Sequence, residues 1–127
     1  MLFRSAGCVV LAGTGEGFGL PVLEAMAAGT PVVAARAGAL PEVVGRAGKL
    51  FTAGDAPALA AHLRNVLDSP DEAARLAREG REHAASYSWD SAARGIEAVL
   101  REAVAQPRRK RRGEQAGSLR SLTRWLR

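Results

Sequence analysis

The chain has 127 residues, 47% of them hydrophobic, enough for one modest domain with its own core and too apolar for a disordered segment. No apolar run approaches the roughly 18 residues of a membrane span, no secretory signal pattern opens the chain, and its single cysteine, Cys8, excludes an internal disulfide or a cysteine-based metal cluster. The net charge of +5 is uneven: residues 1–107 hold 10 basic and 12 acidic groups (−2), and residues 108–127 hold 8 basic groups and one acid, Glu114 (+7). The high isoelectric point therefore describes a basic tail on a mildly acidic body, and a cytoplasmic protein is expected.

Leu2 to Ala6 reads as the end of a helix. Gly7 to Ala12 is continuously apolar, as expected of a short strand buried on both faces, with Cys8 a buried thiol among valines. A loop follows in which glycine alternates with Thr14, Glu16 and Phe18; such a backbone can take positive φ and come close to a ligand. Leu20-Pro21 opens a helix through Ala28, because proline lacks only an N–H that the first helical turn leaves unused, and Gly29 is a natural stop. Thr30 to Ala35 is the next buried strand. Strand, helix and strand make a βαβ unit, which requires parallel strands and a right-handed crossover.

A short helix around Leu40-Pro41-Glu42 comes next, and Gly45 and Gly48 frame the turn into a third strand, Lys49-Leu50-Phe51. Asp55 caps a helix through Leu67 whose apolar stripe is Leu59, Leu63, Val66 and Leu67. Ser69-Pro70-Asp71-Glu72 is a capping box that starts a charged helix to about Ala85. Ser88 caps a last helix, Trp89 to Val104, with a stripe of Ile96, Val99, Leu100 and Val104. His62 and His83 lie on helices as packed or solvated residues rather than ligands. Pro107 closes the globular part. The fold class is α/β: a partial Rossmann-like parallel sheet of about three strands with flanking helices. Doubly wound sheets usually have about five or six strands, so the chain reads as the C-terminal piece of a larger fold, or as a small protein that completes its sheet by association.

Generic phosphate motifs fail. The dinucleotide fingerprint needs a third glycine where Phe18 or Leu20 stands, and the P-loop needs Ser or Thr where Leu50 follows Gly48-Lys49. What remains is a glycine loop opening a helix after a parallel strand, with Gly19 and Leu20 amides at the positive end of the helix. Carboxylates beside a phosphate would repel it, but as pure acceptors they suit vicinal hydroxyls of a sugar or ribose. Spacing alone leaves two readings of Glu16 and Glu24 open: ligand contacts, or a solvated loop residue and a surface helix position.

The run Glu16-Gly17-Phe18-Gly19-Leu20-Pro21-Val22-Leu23-Glu24-Ala25-Met26-Ala27-Ala28-Gly29-Thr30-Pro31-Val32-Val33 resembles the nucleotide-sugar signature of retaining glycosyltransferases of family 4, with its pair of glutamates separated by seven residues. The similarity continues through Gly38 to Val44, Gly48 to Asp55, and Tyr87-Ser88-Trp89, covering about residues 3–104. The resemblance implies the C-terminal, donor-binding part of a GT-B fold (residues 1–107) and a fragment of the whole enzyme. It implies that Glu16 contacts donor-sugar hydroxyls at the reacting end, as the catalytic residue. Phe18, Gly19 and Leu20 would offer amides to the sugar and diphosphate, Glu24 would accept from the ribose hydroxyls, and Thr30 would be structural. Nothing points to a protein-bound metal or cofactor; the nucleotide-diphosphate sugar is a substrate.

The family's acceptor-binding N-terminal domain and its diphosphate-neutralising Arg and Lys pair have no match here; neither Arg4 nor Arg36 fits that pattern. A glycosyl transfer must stabilise the charge that develops on its diphosphate leaving group, so the chain alone is expected to turn over little or not at all. The missing domain, or a companion chain, is an expected partner, and part of the last helix's stripe is expected to face it. The acceptor is not legible. The tail, residues 108–127, leaves three readings: a solvated extension, a segment peripheral to an anionic membrane surface, or, least supported, a nucleic-acid contact. The alternative to a transferase is a non-catalytic module that binds a partner chain or membrane.

Overall fold

The computed structural model describes residues 2–105; the basic tail, residues 108–127, and each of its three readings lie outside the described residues. The elements run β1 (Val9–Leu11), α1 (Leu20–Ala27), β2 (Val32–Ala35), α2 (Leu40–Val44), β3 (Lys49–Phe51), α3 (Ala56–Leu67), α4 (Pro70–Ala85) and α5 (Trp89–Ala105). Phe3–Ser5 is one 3-10 turn, not a helix end. The three strands form one sheet in the order β1-β2-β3, parallel throughout, with Val10 opposite Val33 and Ala34 opposite Leu50. This is the α/β architecture expected from the βαβ pattern.

β2 shows why its residues must all be apolar. Val32, Val33, Ala34 and Ala35 are each fully buried. Side chains alternate across a strand. Val32 and Ala34 join a cluster with Val22, Met26, Leu40 and Val44 from α1 and α2. Val33 and Ala35 join Phe51, Val66 and Leu76 on the other face, closed by α3 and α4.

β1 departs from expectation. Val9 and Leu11 pack on the α1 and α2 cluster, but Val10 is 39% exposed. The strand is the sheet edge, so its continuous apolar run is covered on one face and partly open on the other. Cys8 is half-buried, and burial pushes its thiol above the ordinary value. Leu67 also departs: Leu59, Leu63 and Val66 face the core, while Leu67 is 60% exposed at the helix end, near Gly7.

The helix ends carry the expected chemistry. At the end of α1, Thr30 N–H donates to Ala25 O and Gly29 N–H to Met26 O, both at 2.9 Å, with Gly29 at φ +77°. This double closure needs a left-handed residue. Thr30, almost fully buried, turns its hydroxyl to Phe3 O at 2.6 Å, tying the 3-10 turn to the start of β2. Asp55 Oδ1 accepts from Ala58 N at 2.9 Å and Ser69 Oγ from Glu72 N at 3.3 Å.

The second half of the capping box is diverted. Glu72 does not return to Ser69; its carboxylate bridges Lys49 Nζ at 2.7 Å and Arg75 Nε at 2.8 Å, and Arg75 also reaches Glu79 at 2.7 Å. Glu72 thereby joins α4 to β3. Hydrogen bonds from Arg75, then from Lys49, pull the Glu72 carboxyl from its ordinary 4.5 down to about 2. A depressed carboxyl contributes stability that is complete above its unfolded value and disappears as pH falls through the folded one. Glu72→Gln is therefore expected to be less stable than wild type at pH 7 in urea melts, the gap closing between pH 4.5 and about 2. High salt should narrow it too, because the pair is partly exposed. A gap independent of pH would refute this role.

The fold divides into two compact units, the first ending at Trp89 and the second beginning at Asp90. Within the second, α5 carries the ion pair Arg101–Glu97 at 2.7 Å on one side. Its stripe is bare: Ile96, Val99, Leu100 and Val104 are 59–86% exposed.

Candidate functional site

Two loops leave the C-terminal ends of neighbouring parallel strands, the position where open α/β sheets bind ligands. One runs from Ala12 to Gly19 after β1; the other, Arg36 to Ala39, follows β2. Gly38 joins them. Its φ is +52°, and a Cβ there would lie 2.7 Å from the backbone oxygen of Glu16. The second loop thus passes directly against the backbone of the first, and only glycine allows that approach.

The first loop ends in Gly19, which has φ +85° and is buried. A Cβ on Gly19 would come within 2.8 Å of Leu40 Cδ2, so the first residue of α2 sets how deeply the start of α1 sits. Gly19 O accepts the Val22 N–H at 2.9 Å. Among the described residues, the N–H groups of Phe18, Gly19 and Leu20 have no protein acceptor. Gly19 and Leu20 are orphan donors that the helix start leaves, at the end where the dipole favours an anion, and Phe18 directly precedes them.

The two carboxylates flank these donors along the chain. Glu16 is half-buried, and its Oε1 curls to 3.0 Å from the point where a Cβ of Gly13 would stand, so a side chain at 13 would displace it. Glu24 is exposed on α1, one turn beyond Leu20 and on the same face by helical spacing. Phe18 is 47% exposed and meets the ring of Tyr87 edge to face, centroids 6.4 Å apart. One loop and helix thus carry unpartnered amide donors and two carboxylates, groups that suit a ligand with both phosphate and hydroxyl groups. Among the described residues no group of three or more His, Cys, Asp or Glu side chains is placed to hold a metal ion, and no helix is long and apolar enough to cross a membrane.

All five residues expected at the site, Glu16, Phe18, Gly19, Leu20 and Glu24, lie on this one loop and helix. Sequence reasoning assigned no site role to Gly38 or Tyr87. Gly38 carried a signal in its place directly after a buried strand. Tyr87 stands in the Tyr87-Ser88-Trp89 run that shares the family resemblance, but nothing local says that the end of α4 reaches the loop. His83 is half-packed as expected, its Nε2–H donating to Val43 O at 2.8 Å.

The chain is similar to several characterised proteins. It is 42% identical over 110 residues to D-inositol 3-phosphate glycosyltransferase of Streptomyces coelicolor, covering 85% of this chain and 24% of that protein. It is 48% identical over 109 residues to MMP alpha-(1->4)-mannosyltransferase of Mycolicibacterium hassiacum, covering 83% and 26%. The chain spans about a quarter of the length of these curated relatives. Among solved structures it resembles sucrose-phosphate synthase from Thermosynechococcus elongatus (TM-score 0.72, 33% identity, 82% of this chain and 27% of that one). It also resembles Anabaena HepE in complex with UDP-glucose (TM-score 0.71, 28% identity, 80% and 29%). A third likeness is to the C-terminal domain of a glycosyl transferase group 1 family protein from Francisella tularensis (TM-score 0.61, 32% identity, 67% and 45%). The sequence profile of the family "Glycosyl transferases group 1" matches residues 1–83, the stretch that holds the sheet, both loops and most of α4, and the chain belongs to that family.

Proposed function

We propose that this chain is the donor-binding part of a retaining glycosyltransferase that uses a nucleotide-diphosphate sugar. The observation that carries the reading is the rim after β1, where the free amides of Phe18, Gly19 and Leu20 lie between Glu16 and Glu24. The amides and the positive end of α1 take the diphosphate oxygens and the sugar. Glu24 accepts from the two ribose hydroxyls, and Glu16 accepts from hydroxyls of the donor sugar at the reacting carbon. The HepE complexes with UDP and UDP-glucose make a uridine donor the first to try.

Catalysis also needs cations on the departing diphosphate and a wall for the acceptor. In this proposal both come from polypeptide outside the matched quarter of the relatives, in the same chain or a companion. The chain alone then binds donor weakly and turns it over little or not at all; brisk turnover by the purified chain would contradict that part.

Calorimetry with UDP-, GDP- and ADP-sugars is the test. One of them should bind, and Glu24→Ala should raise its Kd by about tenfold or more, the loss expected when hydrogen bonds to a charged acceptor are removed. Equal binding by Glu24→Ala, or silence with all three nucleotides at millimolar concentration, would end the reading. A second reading, a non-catalytic module docked on a partner chain, rests on the bare stripe of α5; it requires a partner complex that forms without nucleotide.

A further inference from the structure

The glycine loop is built from a backbone with little intrinsic preference: Gly13, Gly15, Gly17 and Gly19 alternate along it, and a Cβ at Gly15 or Gly17 would meet nothing within 4 Å. Such a segment loses much conformational freedom when ordered. Something outside it must hold its amides in register. Gly38 supports it from one side, under Glu16. On the other side the one large side chain of the loop, Phe18, meets Tyr87 with ring centroids 6.4 Å apart and planes at 76°.

Tyr87 is itself well held. Its N–H donates to Ala84 O at 3.1 Å, and Ser86 Oγ donates to His83 O at 2.6 Å, which closes the last turn of α4. The His83 ring stands edge-on to Tyr87 at 5.4 Å and is tied through Nε2–H to the carbonyl of Val43 near the end of α2. Gly45 makes room for that imidazole: a Cβ there would lie 3.1 Å from His83 Cε1. The row Val43, His83, Tyr87, Phe18 runs from a helix end to the loop. The two outer rings are 39% and 47% exposed, so their contact is not core packing.

We infer that Tyr87 is a positioning residue that clamps Phe18 and so fixes the loop amides; the consequence for the donor rests on the function proposed above. Tyr87→Ala removes the ring and Tyr87→Phe keeps it, without the hydroxyl. Backbone NMR order parameters at residues 17–20 read the clamp without any ligand, and calorimetry with UDP-glucose reads the consequence. In Tyr87→Ala, the order parameters should fall and Kd rise by about three- to tenfold, the scale of one aromatic pair, with an unchanged urea midpoint. Tyr87→Phe should restore both.

Unchanged order parameters in Tyr87→Ala would overturn the clamp, as would a Tyr87→Phe as impaired as the alanine variant. A large fall in the urea midpoint of Tyr87→Ala would also overturn it, by making the residue merely structural. If wild type binds no UDP-glucose while the order parameters fall in Tyr87→Ala alone, the clamp stands and the donor assignment falls.

Discussion

Gly38→Ala is expected to fold less stably and to lose most of its donor affinity. Two costs meet at this position. At φ +52° an alanine pays roughly 1–2 kcal/mol for a left-handed backbone. Its Cβ would also stand 2.7 Å from the Glu16 carbonyl oxygen, and that neighbour is backbone, which cannot rotate aside. The loop carrying Glu16 must lift, and the amides of Phe18 to Leu20 move with it. UDP-glucose Kd should rise more than about tenfold, the scale of losing one or two well-placed hydrogen bonds to a charged group.

Two further substitutions separate strain from collision. Asparagine tolerates left-handed φ better than alanine but brings the same Cβ, so Gly38→Asn should bind as poorly as Gly38→Ala. Gly54 has φ +86° and nothing within 4 Å of its would-be Cβ, so Gly54→Ala should cost stability and leave Kd unchanged. Donor binding that survives in Gly38→Asn would remove the collision from the account.

Met26→Ala is expected to have the largest effect on stability. Met26 heads the fully buried side chains by volume, at 1% exposure, and sits where α1 meets α4. Gly80 on α4 lets the helices close: a Cβ there would lie 3.2 Å from Met26 Cγ. Met26 Cε also reaches 3.4 Å from where a Cβ of Gly48 would be, next to Val32 and Val44. Alanine at 26 empties a space walled by two backbones that cannot collapse into it. Buried Met to Ala changes cost about 2–5 kcal/mol, a large share of the ~5–15 kcal/mol that holds a typical domain together. The urea midpoint should fall steeply, and the α1 amides should lose exchange protection with it, since α4 is the main cover of that helix. Loss below about 1 kcal/mol would mean that the α1–α4 contact is loose.

What could be read from the chain was whatever depends on near neighbours. Pro21 and Gly29 bracket α1 because one lacks a donor the first turn does not need and the other reaches the positive φ that the closing bonds require. Asp55 and Ser69 cap their helices through bonds spanning three residues. The apolar run of β2 required burial on both faces, and the βαβ order required parallel strands. The resemblance around Glu16 and Glu24 pointed to the family for the same reason: the motif lies within one loop and one helix.

Other features needed the third dimension. The run Cys8-Val9-Val10-Leu11 looks like that of β2, but only its position at the sheet edge leaves Val10 part-exposed. Glu72 has the spacing of a capping box, yet a lysine 23 positions earlier in the chain, Lys49, competes for it and wins because a paired charge is the stronger partner. Gly38 under Glu16 and Tyr87 against Phe18 are meetings between segments 22 and 69 residues apart. Sequence by itself determined the family and most of the elements, and brought Glu16, Phe18, Gly19, Leu20 and Glu24 forward as the candidate site, because those follow from local bonding, alternation and one contiguous motif. Tertiary structure alone decided which residues meet the glycine loop, because a glycine-rich backbone has little conformational preference of its own until other segments close on it.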